Sequence, residues 1–322
     1  MLSLNLRGLP RRKDIILLYL IIPLSLLLIT VLTAYVCYCM VFKAVRKNKI
    51  EEFPMPVGKI YEPYYEEMKG WQLKVRELPQ TDVEIKSHDG LTLRGKFYQF
   101  SPDAPIELMF HGYRGNSKSD LCGGVLRCFK LGRSVLTVDH RASGESEGKT
   151  ITFGINESRD CAAWVDYIVN NINSEARIIL SGVSMGAATV MIASAMTLPK
   201  NVIGVIADCG YTSAKAIIKK VAKEMKLPAS LLYPFIKLGA RLFGHFNLDE
   251  LSPIDSVKRS QVPIVFIHGD ADAFVPYEMS VENYNACTSK KRLVTVKNAG
   301  HGLAYAVDPD LYLKEITAIF DL

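Results

Sequence analysis

The stretch "RIILSGVSMGAATVMIASAM" runs from Arg177 to Met196 and joins two different patterns. Three apolar residues at 178–180 predict a short strand, and the small and apolar residues after position 186 recur at roughly helical spacing. Between the two patterns, residues 182–186 place Ser184 between two glycines as Gly-x-Ser-x-Gly. The stretch therefore predicts a tight strand-to-helix turn that carries a serine.

A strand, a Gly-x-Ser-x-Gly turn and a helix are together typical of a nucleophile elbow. In such a turn the serine backbone is strained, and a side chain at Gly182 or Gly186 would collide with the neighbouring strand or helix. The turn holds the Ser184 hydroxyl above the sheet, where the N–H of Met185 can face a developing oxyanion. We interpret Ser184 as a nucleophile and Met185 as a backbone donor; the alternative is a purely structural turn.

A serine hydroxyl needs a general base, and the chain offers six histidines. They are His88, His111, His140, His245, His268 and His301. His301 follows the last predicted strand and lies between Gly300 and Gly302, in a loop at the carboxyl end of that strand. Because parallel strands direct this end towards the ligand crevice, we predict that His301 is the base.

A catalytic histidine needs an acid that fixes its tautomer and stabilises the imidazolium. The stretch "PIVFIHGDADAFVP" ends the preceding predicted strand and offers Asp270 and Asp272. Asp270 lies beside the turn at Gly269, where local backbone N–H groups can satisfy it, whereas Asp272 lies deeper in the loop. We prefer Asp272 as the acid, which gives the chain order Ser184, Asp272, His301.

A second oxyanion donor is predicted in the stretch "ELMFHGYRGNSKSD". There a strand ends, His111 and Gly112 form a turn, and the backbone N–H of Tyr113 lies next to the elbow. We expect the His111 imidazole to brace this loop by hydrogen bonding, since the chemistry needs only a backbone N–H. The side chains of Tyr113 and Arg114 are within reach of a substrate.

Near its start the chain carries a long apolar run with no charged residue, "IILLYLIIPLSLLLITVLTAYVCYCMVF" at residues 15–42. About 20 apolar residues suffice to cross a bilayer, whereas the apolar core of a signal peptide has only about 7–15. This run has 28 residues and is followed by a basic cluster, not by a cleavage site. We predict a single-pass anchor in the cell membrane, and the similar number of basic residues on each side leaves its orientation open.

The net charge of +6 is concentrated beside this run. Residues 1–50 contain eight Lys and Arg against Asp14 alone, a balance of +7 that leaves −1 for the remaining residues. Such flanks suit the anionic head groups of a lipid bilayer. A globular part without a basic surplus cannot neutralise many phosphates, so we expect no nucleic-acid partner.

The seven cysteines show no metal-binding or disulfide pattern. Two lie in the apolar run, at Cys37 and Cys39, and the other five are Cys122, Cys128, Cys161, Cys209 and Cys287. The chain has no CxxC pair, and the odd number of cysteines after the run argues against a complete disulfide framework and against a zinc site. We expect buried thiols, and neither a metal nor a cofactor.

The rest of the chain alternates between strand and helix patterns. Two alternating stretches around Asp89-Gly90 predict an antiparallel hairpin at one edge of a sheet. Further predicted strands are 106–110, 134–138, 178–180, 202–207, 264–267 and 293–296. The predicted helices are 119–130, 158–170, 186–196, 278–286 and 308–320. The alternation predicts an α/β fold, a mostly parallel sheet of about eight strands with helices on both faces.

The chain resembles the α/β-hydrolase superfamily, in the branch that groups serine-aminopeptidase-like and prolyl-oligopeptidase-like hydrolases with cinnamoyl-type esterases. Six motifs match in the order and spacing of that family: HGY at 111–113, DHRASGES at 139–146, GVSMG at 182–186, DCGYTS at 208–213, HGDADAFVP at 268–276 and GHG at 300–302. The resemblance implies the α/β-hydrolase fold. It also implies a triad of Ser184, Asp272 and His301, with the N–H groups of Tyr113 and Met185 as the oxyanion hole.

We divide the chain into four parts. They are an N-terminal basic segment at 1–14, a transmembrane helix at 15–42, a juxtamembrane linker at 43–80 with one short helix, and a hydrolase domain at 81–322. Residues of about 211–259 contain no strand pattern and predict a helical cap inserted over the sheet. The part of the cap up to Arg241 is rich in basic residues, with Lys215, Lys219, Lys220, Lys223, Lys226, Lys237 and Arg241 against Glu224.

The sequence thus predicts a membrane-anchored serine hydrolase that needs no cofactor. The basic cap favours an ester over a peptide substrate, because an aminopeptidase needs acidic groups to hold the α-ammonium of its substrate. The alternatives are a serine peptidase that acts on short peptides and, from a different class, a non-catalytic binding module with the same fold. The acyl group, the leaving group and the oligomeric state do not follow from the sequence.

Overall fold

The computed structural model describes residues 12–45 and 52–320, with side chains in the first helix from Tyr19 onwards. Most of the predicted basic segment at 1–14, and residues 46–51 of the predicted linker, lie outside these residues. The strands are β1 (Thr81–Lys86), β2 (Thr92–Tyr98), β3 (Ile106–Phe110), β4 (Ser134–Val138), β5 (Ile178–Val183), β6 (Val202–Asp208), β7 (Ile264–Gly269) and β8 (Lys291–Val296).

The eight strands form one sheet in the order β1-β2-β4-β3-β5-β6-β7-β8. All pairs from β4 to β8 are parallel, whereas β2 runs antiparallel to both of its neighbours. This arrangement confirms the predicted fold class and places the predicted hairpin at one edge. The carboxyl ends of β3, β5, β6, β7 and β8 therefore meet along a common edge of the sheet.

The helices cover both faces of the sheet. They are α1 (Arg12–Val41), α2 (Tyr65–Arg76), α3 (Ser117–Asp120), α4 (Cys122–Lys130), α5 (Ile155–Tyr167), α6 (Met185–Ala193), α7 (Ala214–Glu224), α8 (Ala229–Leu242), α9 (Pro253–Val257), α10 (Tyr277–Ala286), α11 (Ala304–Val307) and α12 (Pro309–Ala318). Alternate residues of the parallel strands enter two cores. Leu108 and Leu180 pack with Trp164 on one face, whereas Ile206 packs with Ile316 on the other.

Two helices differ in more than the placement of their ends by one to three residues. The helix predicted over 119–130 is interrupted at Leu121, which separates α3 from α4. The helix predicted over 158–170 begins earlier, at Ile155, and continues as a π-helix to Ile172. The earlier start has a local cause, because Gly154 adopts a φ of 95° and donates its N–H to the carboxylate of Glu157, so that the first turn is capped.

The C-terminal part of α1 packs against the cap helix α8. Gly239 lies so close to the carbonyl of Ala34 that a Cβ at this position would collide with it. The ring of Phe42 is completely buried against Phe153 and Phe246, at centroid distances of 5.8 and 5.2 Å. By contrast, the part of α1 from Tyr19 to Ile29 is exposed on all sides.

The segment after α1 is also packed against the domain. Trp71 of α2 lies directly on α4 at Gly123, where any Cβ would collide with the indole. Its ring also packs against Tyr305, at a centroid distance of 5.7 Å. The segment therefore covers one side of the sheet edge at which β3 and β5 end.

Candidate active site

Ser184 lies at the junction of β5 and α6 in a strained backbone conformation. Its φ of 58° and ψ of −113° are sparsely populated for a non-glycine residue. Any Cβ at Gly182 would collide with the first turn of α6, and one at Gly186 would collide with the backbone at the end of β3. The backbone N–H of Ser184 donates to the carbonyl of Asp208, at 2.8 Å. The sequence prediction of a turn that only glycine tolerates at these two positions is confirmed.

His301 reaches the serine from the loop after β8. Its Nε2 lies 3.0 Å from the Oγ of Ser184, and its Nδ1 lies 2.7 Å from the Oδ2 of Asp272. An ionised carboxylate can only accept, so Nδ1 carries the proton and Nε2 is left to accept from the serine hydroxyl. The structure thus brings the three predicted residues together in one hydrogen-bonded chain.

Asp272 is surrounded by donors. Its Oδ1 accepts the backbone N–H groups of Phe274 and Val275, both at 2.8 Å, and its Oδ2 accepts from His301 and from His268. Burial alone would raise the pKa of this carboxyl. The hydrogen bonds from His268 and His301, together with the charge on His301, outweigh burial and hold the pKa of Asp272 well below its usual range.

The neighbouring aspartate has a different surrounding. Asp270 is exposed, and its Oδ1 accepts the backbone N–H of Asn298. This backbone donor belongs to the loop after β8, 28 residues away, and not to the turn at Gly269 as predicted; in the described structure Asp270 forms no hydrogen bond to the imidazole of His301.

His268 is a participant that the sequence reasoning missed. It is completely buried, with Nε2 3.1 Å from Oδ2 of Asp272 and 2.9 Å from the carbonyl of Val275, while Nδ1 lies 2.6 Å from the hydroxyl of Ser280. Nε2 faces two acceptors and must carry the proton, so Nδ1 accepts from Ser280. The i,i+4 spacing to Asp272 within the HGDADAFVP motif was the available signal.

The two predicted oxyanion donors flank the serine. Met185 is the first residue of α6, where a backbone N–H has no partner within its helix. Gly112, beside Tyr113, is so close that a Cβ there would lie 3.7 Å from the Cβ of Ser184. His111 braces this loop as predicted, because its Nε2 accepts the backbone N–H of His140 at 3.0 Å.

The side chains that follow Gly112 make contacts that the sequence did not indicate. The Tyr113 hydroxyl donates to the carbonyl of Val41, at 2.7 Å, and Arg114 donates to the carbonyl of Met40, at 2.8 Å. Both acceptors lie in the last turn of α1. The loop that carries one predicted oxyanion donor is therefore tied to the end of the N-terminal helix.

A cavity of about 490 Å³ opens at Ser184 and extends beneath the segment before β1. Its walls are largely apolar and include Pro54, Met55, Pro56, Val57, Tyr61, Met68, Trp71, Met109, Leu121, Phe274 and Tyr305. Polar groups from Ser181, Asp208 and Tyr312 also line it. The sequence reasoning treated residues 43–80 as a linker, so it did not find the part of this wall that they supply.

Asp208 is the unusual group in the cavity wall. The residue is only 4% exposed, and its Oδ1 has no hydrogen-bond partner in the described part of the chain. Burial raises the pKa of this carboxyl to about 6, although hydrogen bonding to Tyr312 and the nearby histidines oppose the shift. Asp208 therefore lies in the same cavity wall as the nucleophile and is half protonated near pH 6.

One group of potential metal ligands also lies at the site. The sulfur of Cys209 and ligand atoms of Asp272 and His301 are all within 4.8 Å of one another. Burial and the charges of Asp208 and Asp272 raise the pKa of the Cys209 thiol well above its usual value. A thiol that keeps its proton is a poor metal ligand, and the ring nitrogens of His301 already face Ser184 and Asp272. The group therefore fits an acid–base site better than a metal site.

The chain has relatives of known sequence and structure. The protein YqkD of Bacillus subtilis is 27% identical over 249 residues, which are 76% of this chain and 80% of YqkD. Among solved structures, the esterase Pf2001 of Pyrococcus furiosus superposes with a TM-score of 0.63 at 23% identity, over 85% of this chain and 98% of the esterase.

The acylaminoacyl peptidase of Pyrococcus horikoshii superposes with a TM-score of 0.55 at 17% identity, over 77% of this chain but only 42% of the peptidase. These two structural likenesses support the fold. Residues 145–318, more than half of the chain and including the Gly-x-Ser-x-Gly turn and the HGDADAFVP and GHG motifs, match the model of the prolyl oligopeptidase family. The protein is therefore an α/β-hydrolase that belongs to the prolyl oligopeptidase family.

Proposed function

We propose that the protein is a membrane-anchored serine hydrolase that cleaves a carboxylic ester through an acyl-enzyme formed on Ser184. The observation that carries the proposal is the chain of short contacts from Asp272 through His301 to the Oγ of Ser184. These three side chains come from distant loops and meet at an elbow whose backbone is strained. Such strain is commonly found at functional sites.

In the first half of the reaction, Ser184 Oγ attacks the carbonyl carbon of the ester while Nε2 of His301 takes the hydroxyl proton. The carbonyl π electrons move to oxygen, and a tetrahedral oxyanion forms. The C–O bond to the leaving group then breaks, and His301 delivers its proton to the departing alkoxide. Asp272 stays ionised throughout and stabilises the imidazolium, in accord with the low pKa of its carboxyl.

In the second half, a water molecule takes the place of the leaving alcohol. His301 removes a proton from this water, the hydroxide attacks the acyl carbon, and the proton returns to Ser184 Oγ as the acid departs. The backbone N–H groups of Tyr113 and Met185 would bind the oxyanion in both halves. Removing one such donor typically costs about 100- to 1,000-fold in kcat.

Two observations support an ester substrate. The cavity beside Ser184 has mainly apolar walls, which suit an acyl chain. The chain also covers nearly the whole of the Pyrococcus furiosus esterase but less than half of the acylaminoacyl peptidase.

A specific observation favours a second candidate, a peptidase that acts on short peptides. The carboxyl groups of Asp120 and Asp208 both line the cavity. A free α-ammonium group is the part of a peptide that such groups would recognise. They weaken the argument from the basic cap only in part, because Arg114 and Arg127 line the same cavity.

The membrane part of the proposal is supported by α1. Residues Tyr19–Val41 form a helix that is long and apolar enough to cross a bilayer, and most of this part is not buried in the protein. A signal sequence would satisfy the same test, but the charge-free run is about twice as long as the apolar core of a signal peptide.

A fluorophosphonate probe tests the nucleophile directly. The wild type should be labelled, and Ser184→Ala should not be labelled. Ser181→Ala is the matched control, because Ser181 lies on the same strand and lines the same cavity but does not contact His301. Equal labelling of Ser184→Ala and the wild type would remove Ser184 from the proposed role, and failure to label the wild type would favour a non-catalytic binding module.

A paired substrate panel tests the ester assignment. We expect p-nitrophenyl esters of several acyl lengths to be hydrolysed with higher kcat/KM than aminoacyl p-nitroanilides of similar size. The opposite order would support the peptidase. If Asp208→Asn lowered kcat/KM for the aminoacyl p-nitroanilides but not for the esters, this carboxyl would be shown to recognise the ammonium group.

A further inference from the structure

The outer face of the cap helix α8 is apolar. Leu231 and Leu242 are 66% and 45% exposed, and Leu227 just before the helix is also exposed. Pro234 is exposed between them, and Phe235 and Leu238 are half-buried. Spacings of three and four residues place these side chains on one stripe, opposite the buried Tyr233, Ile236, Gly239 and Ala240.

The last turns of α1 also expose apolar side chains. In this part Ala34, Cys37 and Tyr38 are buried against the protein, whereas Leu32, Val36 and Met40 face outwards and are each about half exposed. The two helices pack on each other here. We call the exposed faces of both helices, defined by Leu32, Val36, Met40, Leu231 and Leu242, the outer surface.

The start of the charge-free run and the packed part of α1 together indicate where the outer surface lies relative to a bilayer. The charge-free run begins at Ile15, and the roughly 20 residues that cross a hydrocarbon core of about 30 Å extend to Ala34. Ala34 is also where the protein begins to bury α1, and Gly239 of α8 lies against its carbonyl. If α1 crosses the bilayer, the outer surface therefore lies at the membrane boundary.

The charges around the outer surface are consistent with this position. Helix α8 contains no acidic residue, and it ends near Arg241. Lys223 at the end of α7 and Lys226 just before Leu227 are exposed, whereas Lys215 and Lys219 lie over the ring of Tyr233 on the other side of α8. Lys220 pairs with Glu224, and the cap as a whole retains a basic surplus. Basic residues beside an apolar stripe are typical of helices that lie in the interface of an anionic bilayer.

From these observations we infer that the outer surface binds an anionic lipid bilayer, with α8 lying in the interface beside the membrane-spanning α1. The inference rests on the proposed membrane anchoring and goes beyond it, because an anchor alone would leave α8 in water. Exposed apolar patches of this kind mark interaction sites, and a bilayer is the occupant continuous with the exposed part of α1.

The position of the outer surface also indicates the class of substrate. Tyr113 and Arg114 line the cavity and hydrogen-bond to the carbonyls of Val41 and Met40. The cavity therefore adjoins the last turn of α1, about 10 Å along the helix from Ala34 at the membrane boundary. An amphiphilic acyl ester that resides in the bilayer can reach Ser184 from there, with its acyl chain against the apolar wall of the cavity.

Tryptophan quenching tests the position of α8 with the full chain in vesicles that contain about 30% anionic lipid. Leu231→Trp and Leu242→Trp are compared in vesicles with and without dibrominated lipid, each relative to the unsubstituted protein with its own Trp71 and Trp164. Phe100→Trp is the matched control, since Phe100 is also an exposed apolar residue. It lies near the amino end of β4, because its backbone N–H donates to the hydroxyl of Ser134, the first residue of that strand. Leu27→Trp in the exposed part of α1 reports on the anchor.

We expect the two α8 positions to be quenched at least about threefold more than Phe100→Trp, because interfacial helices lie at a depth of about 5–10 Å. Quenching at Leu27→Trp together with none on α8 would overturn the inference and leave the anchor in place. Absence of quenching at Leu27→Trp would overturn both. Tryptophan emission from the two α8 positions that is shifted to the blue but not quenched would indicate that a protein partner or a second copy covers α8. This result would also overturn the inference.

A kinetic comparison tests the proposed route of the substrate. The double variant Leu231→Glu/Leu242→Glu should hydrolyse an ester lipid embedded in vesicles about tenfold more slowly than the wild type. Its hydrolysis of soluble p-nitrophenyl butyrate should be unchanged, which separates this test from the test of the proposed catalytic function. Phe100→Glu should affect neither substrate. Unchanged hydrolysis of the embedded ester, or an equal loss on both substrates, would contradict the proposed route.

Discussion

Asp208 ends β6, and Asp272 follows the neighbouring parallel strand β7. Both lie close to Ser184, but their surroundings differ. Asp272 accepts hydrogen bonds from two imidazoles and two backbone N–H groups, and its pKa is lowered. Asp208 is buried with one oxygen unpaired, and its pKa is raised to about 6. The difference shows that the number of donors, not burial, decides whether a carboxyl at this edge of the sheet is a permanent anion.

The largest expected effect is that of Asp272→Asn on catalysis. The amide cannot stabilise the imidazolium of His301 and favours the wrong tautomer, so kcat should fall by about 10,000-fold. Steady-state hydrolysis of a p-nitrophenyl ester measures this loss. Asp270→Asn is the matched control and should retain wild-type activity; a similar loss in both variants would mean that the loop, not the carboxyl of Asp272, is what matters.

The next effect is that of Asp208→Asn on stability. A folded pKa of about 6 above a normal value near 4 means that the folded state binds more protons between these pH values, so the stability falls as pH rises from about 4 to 6 and stays reduced above 6. The amide removes this penalty, and the free energy of unfolding should rise by about 2–3 kcal/mol at pH 7.5.

Thermal denaturation of the wild type and Asp208→Asn at several pH values measures this difference. The two melting temperatures should coincide near pH 4 and separate as pH rises. A variant that is less stable than the wild type at pH 7.5 would show that Asp208 has a partner that compensates for its burial.

A smaller effect is expected at His268, the second imidazole on Asp272. His268→Leu removes one donor, which should lower kcat about tenfold, or about 1.4 kcal/mol in the barrier. It should also raise the pKa of Asp272. With one donor fewer, the carboxylate should hold the imidazolium proton of His301 more strongly, which moves the acid limb of the kcat/KM profile to higher pH. His268→Gln, which can place an N–H near the same oxygen, should recover part of both; a purely structural role would leave the pH profile in place.

The smallest effect is that of Asp208→Asn on ester hydrolysis. Because the carboxyl of Asp208 does not contact Ser184 Oγ or His301 through a hydrogen bond, kcat/KM for a short p-nitrophenyl ester should stay within about threefold of the wild type. A loss of about 100-fold or more would place Asp208 in the reaction itself, and the contrast between the two aspartates would then need a different explanation.

The sequence predicted those parts of the site that depend on local geometry. The collision that requires glycine at 182 and 186 arises within a few residues of the turn and the adjacent strand, so the motif indicates it. The loops of Asp272 and His301 could be placed because parallel strands direct their carboxyl ends to one edge. The mostly parallel sheet around them follows from the alternation of strands and helices, whereas the order of its strands was not predicted.

Other features depend on packing between distant parts of the chain. Nothing near Trp71 indicates that it will pack on Gly123 of α4, and a polar stretch with scattered aromatic residues is read equally well as a linker. The DCGYTS motif was recognised, but strand alternation does not reveal whether Asp208 will find a partner. The bond from Tyr113 to Val41 joins residues 72 positions apart, and no local pattern encodes it.

That last hydrogen bond makes the N-terminal helix inseparable from the reaction centre. Proteolytic shedding that cut the chain after Val41 would remove the acceptor of the Tyr113 hydroxyl. A cut after Phe42 would also withdraw an aromatic ring from between Phe153 and Phe246. The released domain should then have reduced activity. Activity in a soluble fraction should therefore require the end of the N-terminal helix as well as Ser184.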